Sequence, residues 1–190
     1  MKKIYLDSIF DLKMLYIRHG EKQFENKKSD IFSLDPGLTQ QGKIKAEKHF
    51  YDLLDTYVMP ESIITSPYLR ARETSHIAQN SIYNKTGIWI PVFIDIDLGE
   101  YLGNHTGSDL SKELTPGTLH YNPIPIENWQ KFSDRIEGYF SREKINKSKN
   151  IWHITHGLVI QTIAKLYGTR IQRPHELHGI LISNDKVNII

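Results

Sequence analysis

Apolar positions along this 190-residue chain fall into short runs of strand length, separated by longer stretches with helical spacing. The run Met14-Leu15-Tyr16-Ile17 is short enough for one buried strand, and Gly20 stops it. Thr39 is placed as an N-cap before a helical pattern through Ile44, Ala46, Phe50, Leu53 and Leu54. Pro60 ends that region, residues 62–66 predict a second strand stopping at Ser66-Pro67, and a helix over about 68–82 follows. Residues 89–96 alternate apolar positions and predict a third strand, and helical spacing resumes over 127–140 through Trp129, Phe132, Ile136 and Phe140. Residues 151–155 predict a fourth strand, ending at His156-Gly157 before an apolar helix over 158–167 that Gly168 terminates. The apolar runs 179–182 and 187–190 predict a closing hairpin with an Asn-Asp turn.

Strands alternating with helices in this order predict an α/β fold. The expected form is a three-layer, doubly wound, mostly parallel central sheet with helices on both faces. The length suits one domain over residues 1–190. Residues 1–12 form a lead-in with no evident role, and the polar stretch 22–30 reads as a loop. Residues 103–126 lack a core pattern and are punctuated by Gly103, Gly107, Pro116, Gly117, Pro123 and Pro125. They are the expected excursion covering one end of the sheet.

Composition narrows the function classes. Hydrophobic residues make up 39%, as in ordinary soluble globular proteins, and the net charge of +2 is too small to imply a nucleic-acid partner. The loose cluster Arg142, Lys144, Lys147 and Lys149 reads as a solvated helix end. With no cysteine, disulfides, thiolate catalysis and Cys-ligated metals are excluded. Asp7 and Asp11 interrupt any signal-like apolar segment near the basic start, and no run reaches membrane-spanning length. The expected address is the cytoplasm, without a membrane partner.

Candidate chemistry gathers at strand ends, where open α/β sheets place their ligand crevice. Arg18-His19-Gly20-Glu21 follows the first strand. An arginine there can clamp an anion through its planar fork, and a neutral histidine can attack an electrophile. The helix after Ser66-Pro67 offers backbone N–H groups and a positive dipole end to an anion, with Arg70 in its first turn. Arg72 lies two residues further round and reads as the exposed partner of a nearby acid. His49, His76, His120, His175 and His178 show no such placement; His105 is left open, and His153 belongs to the fourth strand.

Arg18-His19-Gly20 at a strand end resembles the signature of the histidine phosphatase superfamily, branch 1, which includes the phosphoglycerate mutases. Asp35-Pro36-Gly37-Leu38-Thr39-Gln40-Gln41-Gly42 is similar to a second family segment. Thr65-Ser66-Pro67-Tyr68-Leu69-Arg70-Ala71-Arg72-Glu73-Thr74 resembles its second phosphate-binding block, with the catalytic arginine falling on Arg70. The family's Leu-x-Glu proton donor maps onto Leu98 and Glu100, and its second-histidine block onto His156-Gly157. The resemblance spans about residues 13–183 in five ordered blocks.

It implies a metal-independent phosphomonoesterase, with no cofactor, acting on a small-molecule or protein phosphomonoester. His19 would attack phosphorus, Arg18, Arg70 and His156 would neutralise the phosphate, and Glu100 would protonate the leaving oxygen. Departures separate the chain from the mutases: Tyr101-Leu102-Gly103 follows Glu100 in place of Arg-His-Tyr, no Arg-Arg pair exists, and Glu25 replaces the usual Asn. Pro125-Ile126-Glu127-Asn128 stands where the family has Pro-Gly-Gly-Glu-Ser. The alternatives are mutase-type phosphoryl transfer with a relocated clamp, or a catalytically silent phosphoryl-binding module. A His/Glu metal site lacks the expected helical spacing.

Overall fold

A computed structural model describes residues 14–23, 35–101, 127–145, 150–184 and 186–190. The lead-in, Glu25, His105 and the whole of the expected excursion over 103–126 lie outside the described residues.

Six strands form one mixed sheet in the order β3-β2-β4-β1-β5-β6. They are β1 (Met14–Arg18), β2 (Ser62–Thr65), β3 (Val92–Ile94), β4 (Ile151–Thr155), β5 (Gly179–Ser183) and β6 (Lys186–Ile189). β3, β2, β4 and β1 run parallel, and the β5–β6 hairpin adds an antiparallel edge beside β1. The hairpin turn includes Asn184 at φ 50°, a left-handed conformation that asparagine tolerates well.

Strand periodicity sorts the core into two layers. Leu15, Ile17, Trp152 and Ile154 point to one face and pack with Ala46, Phe50, Ala71, Ala78 and Ile82 of α1 (Gln40–Thr56) and α2 (Leu69–Thr86). Met14, Tyr16, Ile180 and Ile182 point to the other, against Phe132, Ile136, Val159 and Ile163 of α3 (Trp129–Ile145) and α4 (Gly157–Leu166). The α/β expectation holds: one mostly parallel sheet carries helices on both faces. Thr39 caps α1 as its sequence position predicts, accepting a hydrogen bond from Gly42 N at 2.8 Å.

The third strand is shorter than its alternation predicts. Residues 89–96 contain only the three-residue β3, where Phe93 and Ile94 are exposed on a sheet edge. Pairing with β2 covers only Val92 to Ile94, and the stretch is a nearly continuous apolar run, Trp89, Ile90, Val92, Phe93, Ile94 and Ile96, in place of the expected alternation. Ile44 on α1 is likewise exposed, so the buried stripe of that helix is Gly42, Ala46, Phe50 and Leu53.

Candidate active site

Because β2, β4 and β1 are adjacent and parallel, Ser66, His156 and His19 leave the sheet at one end. His19 is buried and follows β1. Its Nδ1 lies 2.7 Å from the Gly20 carbonyl, which fixes a hydrogen on Nδ1 and leaves the Nε2 lone pair facing outward. Arg70 Nε donates to that Nε2 at 3.2 Å. Burial, His156 and Arg70 together hold the His19 imidazole well below its ordinary pKa, so the ring is neutral at physiological pH. Thr74 secures this corner, accepting from Gly20 N at 3.0 Å while donating to the Arg70 carbonyl at 2.7 Å.

His156 caps α4 and is fully buried. Its Nδ1 lies 3.1 Å from Glu100 Oε2, and its Nε2 lies 2.7 Å from Ser66 Oγ. The tautomer satisfying both contacts has Nδ1 donating to Glu100 and Nε2 accepting from Ser66. Arg70 Nη2, 3.4 Å from Nδ1, is then a neighbour of the ring and not a donor to it. Burial pushes His156 down to about 4 despite the adjacent carboxylate.

Glu100 is drawn toward three cationic or donor groups: His156, Arg70 Nη2 at 3.5 Å and Arg173 Nη2 at 3.5 Å. Burial alone would raise its carboxyl, but His156 and Arg70 outweigh that and hold it well below the usual carboxylate range. The backbone before it is gripped from two sides. Thr155 Oγ1 donates to the Leu98 carbonyl at 2.6 Å, while Arg135 of α3 donates to the Asp97 and Gly99 carbonyls and pairs with Glu127.

Of the five predicted site residues, His19, Arg70, Glu100 and His156 come together in one crevice, whereas Arg18 and the α2 N-terminus are engaged otherwise than expected. The Arg18 guanidinium is engaged by the segment before β5, donating to the Pro174 carbonyl at 2.9 Å and pairing with Glu176 at 3.0 Å. Its buried Nε has no hydrogen-bond partner among the described residues. The α2 N-terminus, expected to face a bound anion, already meets a carboxylate of the chain: Asp35 Oδ1 accepts from Leu69 N at 2.7 Å and lies 3.5 Å from Arg70. Arg72 is half-buried, its Nε has no hydrogen-bond partner and it forms no ion pair among the described residues, so the expected exposed ion pair is absent there; its charge only adds to the positive field at Asp35.

Glu21 faces away, held by Lys45 at 3.0 Å and by Thr39, whose hydroxyl donates to it at 3.1 Å. Donor atoms of His19, Glu100 and His156 lie within 4.8 Å of one another, a spacing that could bracket a metal ion. Arg70 projects into the same space, and a fixed guanidinium opposes a divalent cation there. Arg173 and Ser66 are the participants that sequence reasoning did not assign. Ser66 was legible as part of the block containing Arg70, whereas Arg173 sits in an irregular stretch without a motif.

The model of the histidine phosphatase superfamily (branch 1) matches residues 14–190, and the chain belongs to that family. A 2,3-bisphosphoglycerate-dependent phosphoglycerate mutase of Corynebacterium glutamicum is 32% identical over 122 residues, covering 64% of this chain and 47% of the relative. The corresponding enzyme of Bifidobacterium longum is 28% identical over 119 residues, covering 63% and 46%. The chain thus spans about half the length of the curated relatives it matches.

Among solved structures, phosphoglycerate mutase from Bacillus anthracis superposes with a TM-score of 0.67 at 17% identity, over 95% of this chain and 92% of that one. A putative alpha-ribazole-5'-P phosphatase from Escherichia coli gives 0.61 at 22% identity, over 94% of each chain. These similarities show the fold. No helix among the described residues is long and apolar enough to cross a membrane.

Proposed function

We propose that the protein is a metal-independent phosphomonoesterase working through a phosphohistidine on His19. The carrying observation is the His19 ring: Nδ1 is tied to the Gly20 carbonyl, and the Nε2 lone pair faces Arg70 in a crevice that also holds Glu100 and His156. In the first step Nε2 attacks phosphorus in line as the P–O bond breaks, and Glu100 gives its proton to the departing oxygen. Arg18 and Arg70 balance the charge of the transferred group, and the neutral His156 ring offers it a hydrogen bond. In the second step the Glu100 carboxylate takes a proton from water, which attacks the phosphohistidine, releasing phosphate and freeing His19.

Glu100 must be protonated for the first step, yet its neighbours hold it as an anion. Competition supplies the proton. A phosphate dianion entering the crevice draws Arg70 and His156 to itself and adds its own negative charge, so Glu100 becomes more basic as substrate binds.

The test is hydrolysis of p-nitrophenyl phosphate in the presence of chelator, with His19→Ala inactive and folded, and an acid-labile, base-stable phosphoryl label on His19. Activity requiring a divalent cation, or label on a serine or aspartate, refutes the mechanism. The names of the curated relatives favour a second reading, mutase-type transfer. Interconversion of 2- and 3-phosphoglycerate primed by 2,3-bisphosphoglycerate would select it over hydrolysis.

A further inference from the structure

The two oxygens of Glu100 are not equivalent. Oε2 meets His156 Nδ1 at 3.1 Å and Arg70 Nη2 at 3.5 Å. Oε1 is buried, has no hydrogen-bond partner among the described residues, and lies 3.5 Å from Arg173 Nη2. With Oε2 occupied by donors, Oε1 is the oxygen able to carry a transferable proton. A leaving oxygen taking its proton from Oε1 would lie beside the half-exposed Arg173, whose Nη2 is 3.5 Å from that atom.

Arg173 is built to stand at that mouth. Its stem lies against Gly157, the residue after His156, so closely that a Cβ there would come within 2.7 Å of Arg173 Cγ. Its side chain is half exposed, whereas Arg70 is buried and Arg18 nearly so. Lys22 adds positive charge nearby; burial and the fields of Arg70, Arg173 and Arg18 push its ammonium below the ordinary lysine value. A guanidinium at such a place binds carboxylate or phosphate through paired N–H groups and disfavours a cationic neighbour.

We propose that Arg173 is the specificity-determining residue of the crevice, selecting phosphomonoesters whose leaving group carries a second anion. The inference rests on the phosphomonoesterase reading. It concerns the departing group, whereas the transferred phosphate is assigned to Arg18, Arg70 and His156.

The test compares kcat/KM for three series of matched chain length: simple alkyl phosphates, ω-carboxyalkyl phosphates, and alkanediol bisphosphates. The wild type should prefer at least one anionic series over the neutral one by about tenfold. The faster anionic series tells whether a carboxylate or a second phosphate is the better match. Arg173→Met should reduce the preference to about twofold or less, and Arg173→Lys should retain part of it. Circular dichroism and thermal melts establish that both variants fold.

Equal wild-type rates on neutral and anionic esters would overturn the inference and leave the phosphomonoesterase reading standing. So would an Arg173→Met variant that loses the same factor on all three series, since Arg173 would then act through Glu100. If the wild type hydrolyses none of these esters and no p-nitrophenyl phosphate, the functional reading fails and the inference falls with it.

Discussion

At the scale of single residues, the crevice is a set of groups whose protonation depends on one another. Glu100 is held as an anion by His156 and Arg70, and on the proposed mechanism a bound dianion would reverse that balance. Binding of tungstate, a dianion near neutral pH, should therefore be accompanied by proton uptake, and Glu100→Gln should abolish it. Calorimetric titration in buffers of different ionisation enthalpy measures the uptake; a wild-type value of zero would place the donor elsewhere. In single turnovers, Glu100→Gln should lose far more on alkyl phosphates than on p-nitrophenyl phosphate, whose leaving group needs little protonation. Residues in contiguous motifs, such as Arg18-His19-Gly20 and His156-Gly157, were legible because one strand end places several groups at once. Arg173 was not. Its role depends on approach to Glu100 across 73 positions of sequence, and no local pattern encodes such a contact.

At the scale of elements, the sheet edge carrying β5 depends on a glycine that the hairpin pattern does not reveal. A Cβ on Gly179 would fall 1.7 Å from the Tyr16 carbonyl oxygen, a clash with backbone that no side-chain rotation relieves. β5 lies against β1 here, with Ile17 paired to Gly179. Just beyond, Leu177 N donates to the Arg18 carbonyl and Arg18 N donates to the His178 carbonyl, both at 3.0 Å. Gly179→Ala should destabilise the protein by about 3 kcal/mol or more and lower activity by disturbing Arg18. Urea unfolding is the measurement, and a loss below about 1 kcal/mol would mean that β5 shifts freely. The apolar runs located the hairpin correctly because β5 is buried along its core face. The apolar stretch over 89–96 overstated β3 because a run of apolar residues does not record how much of it a neighbouring strand pairs with or covers.

At the scale of the whole molecule, buried neutral imidazoles make the fold acid-sensitive. His19, His153 and His156 are all buried, and burial lowers each below the ordinary histidine value, His156 to about 4. In the unfolded chain these rings protonate near pH 6.5, so below that pH the unfolded state binds more protons than the native one. Their contribution is complete above about pH 6.5 and is lost as pH falls toward the folded values. Each ring that is protonated in the unfolded chain and neutral in the fold contributes at most about 1.4 kcal/mol per pH unit, so the three together steepen the loss of stability below about pH 6.5. His153 isolates one share of that slope. Its ring stacks on Tyr16 with centroids 4.2 Å apart and meets Tyr139 edge-on at 5.9 Å. Neither ring nitrogen has a hydrogen-bond partner among the described residues, and Nε2 is 3.8 Å from Glu143 Oε2, a favourable pair if the ring is charged. Desolvation prevails over that attraction, so the ring is neutral in the fold. His153→Phe keeps the ring packing and removes two unsatisfied nitrogens, and should leave stability at pH 8 within about 1 kcal/mol of wild type. Between pH 6 and 5 its slope should be shallower than that of the wild type, by at most about 1.4 kcal/mol per unit, read from urea unfolding at each pH. An unchanged slope combined with a large loss of stability at pH 8 would mean that His153 is charged and paired with Glu143, because phenylalanine would then leave a buried carboxylate alone.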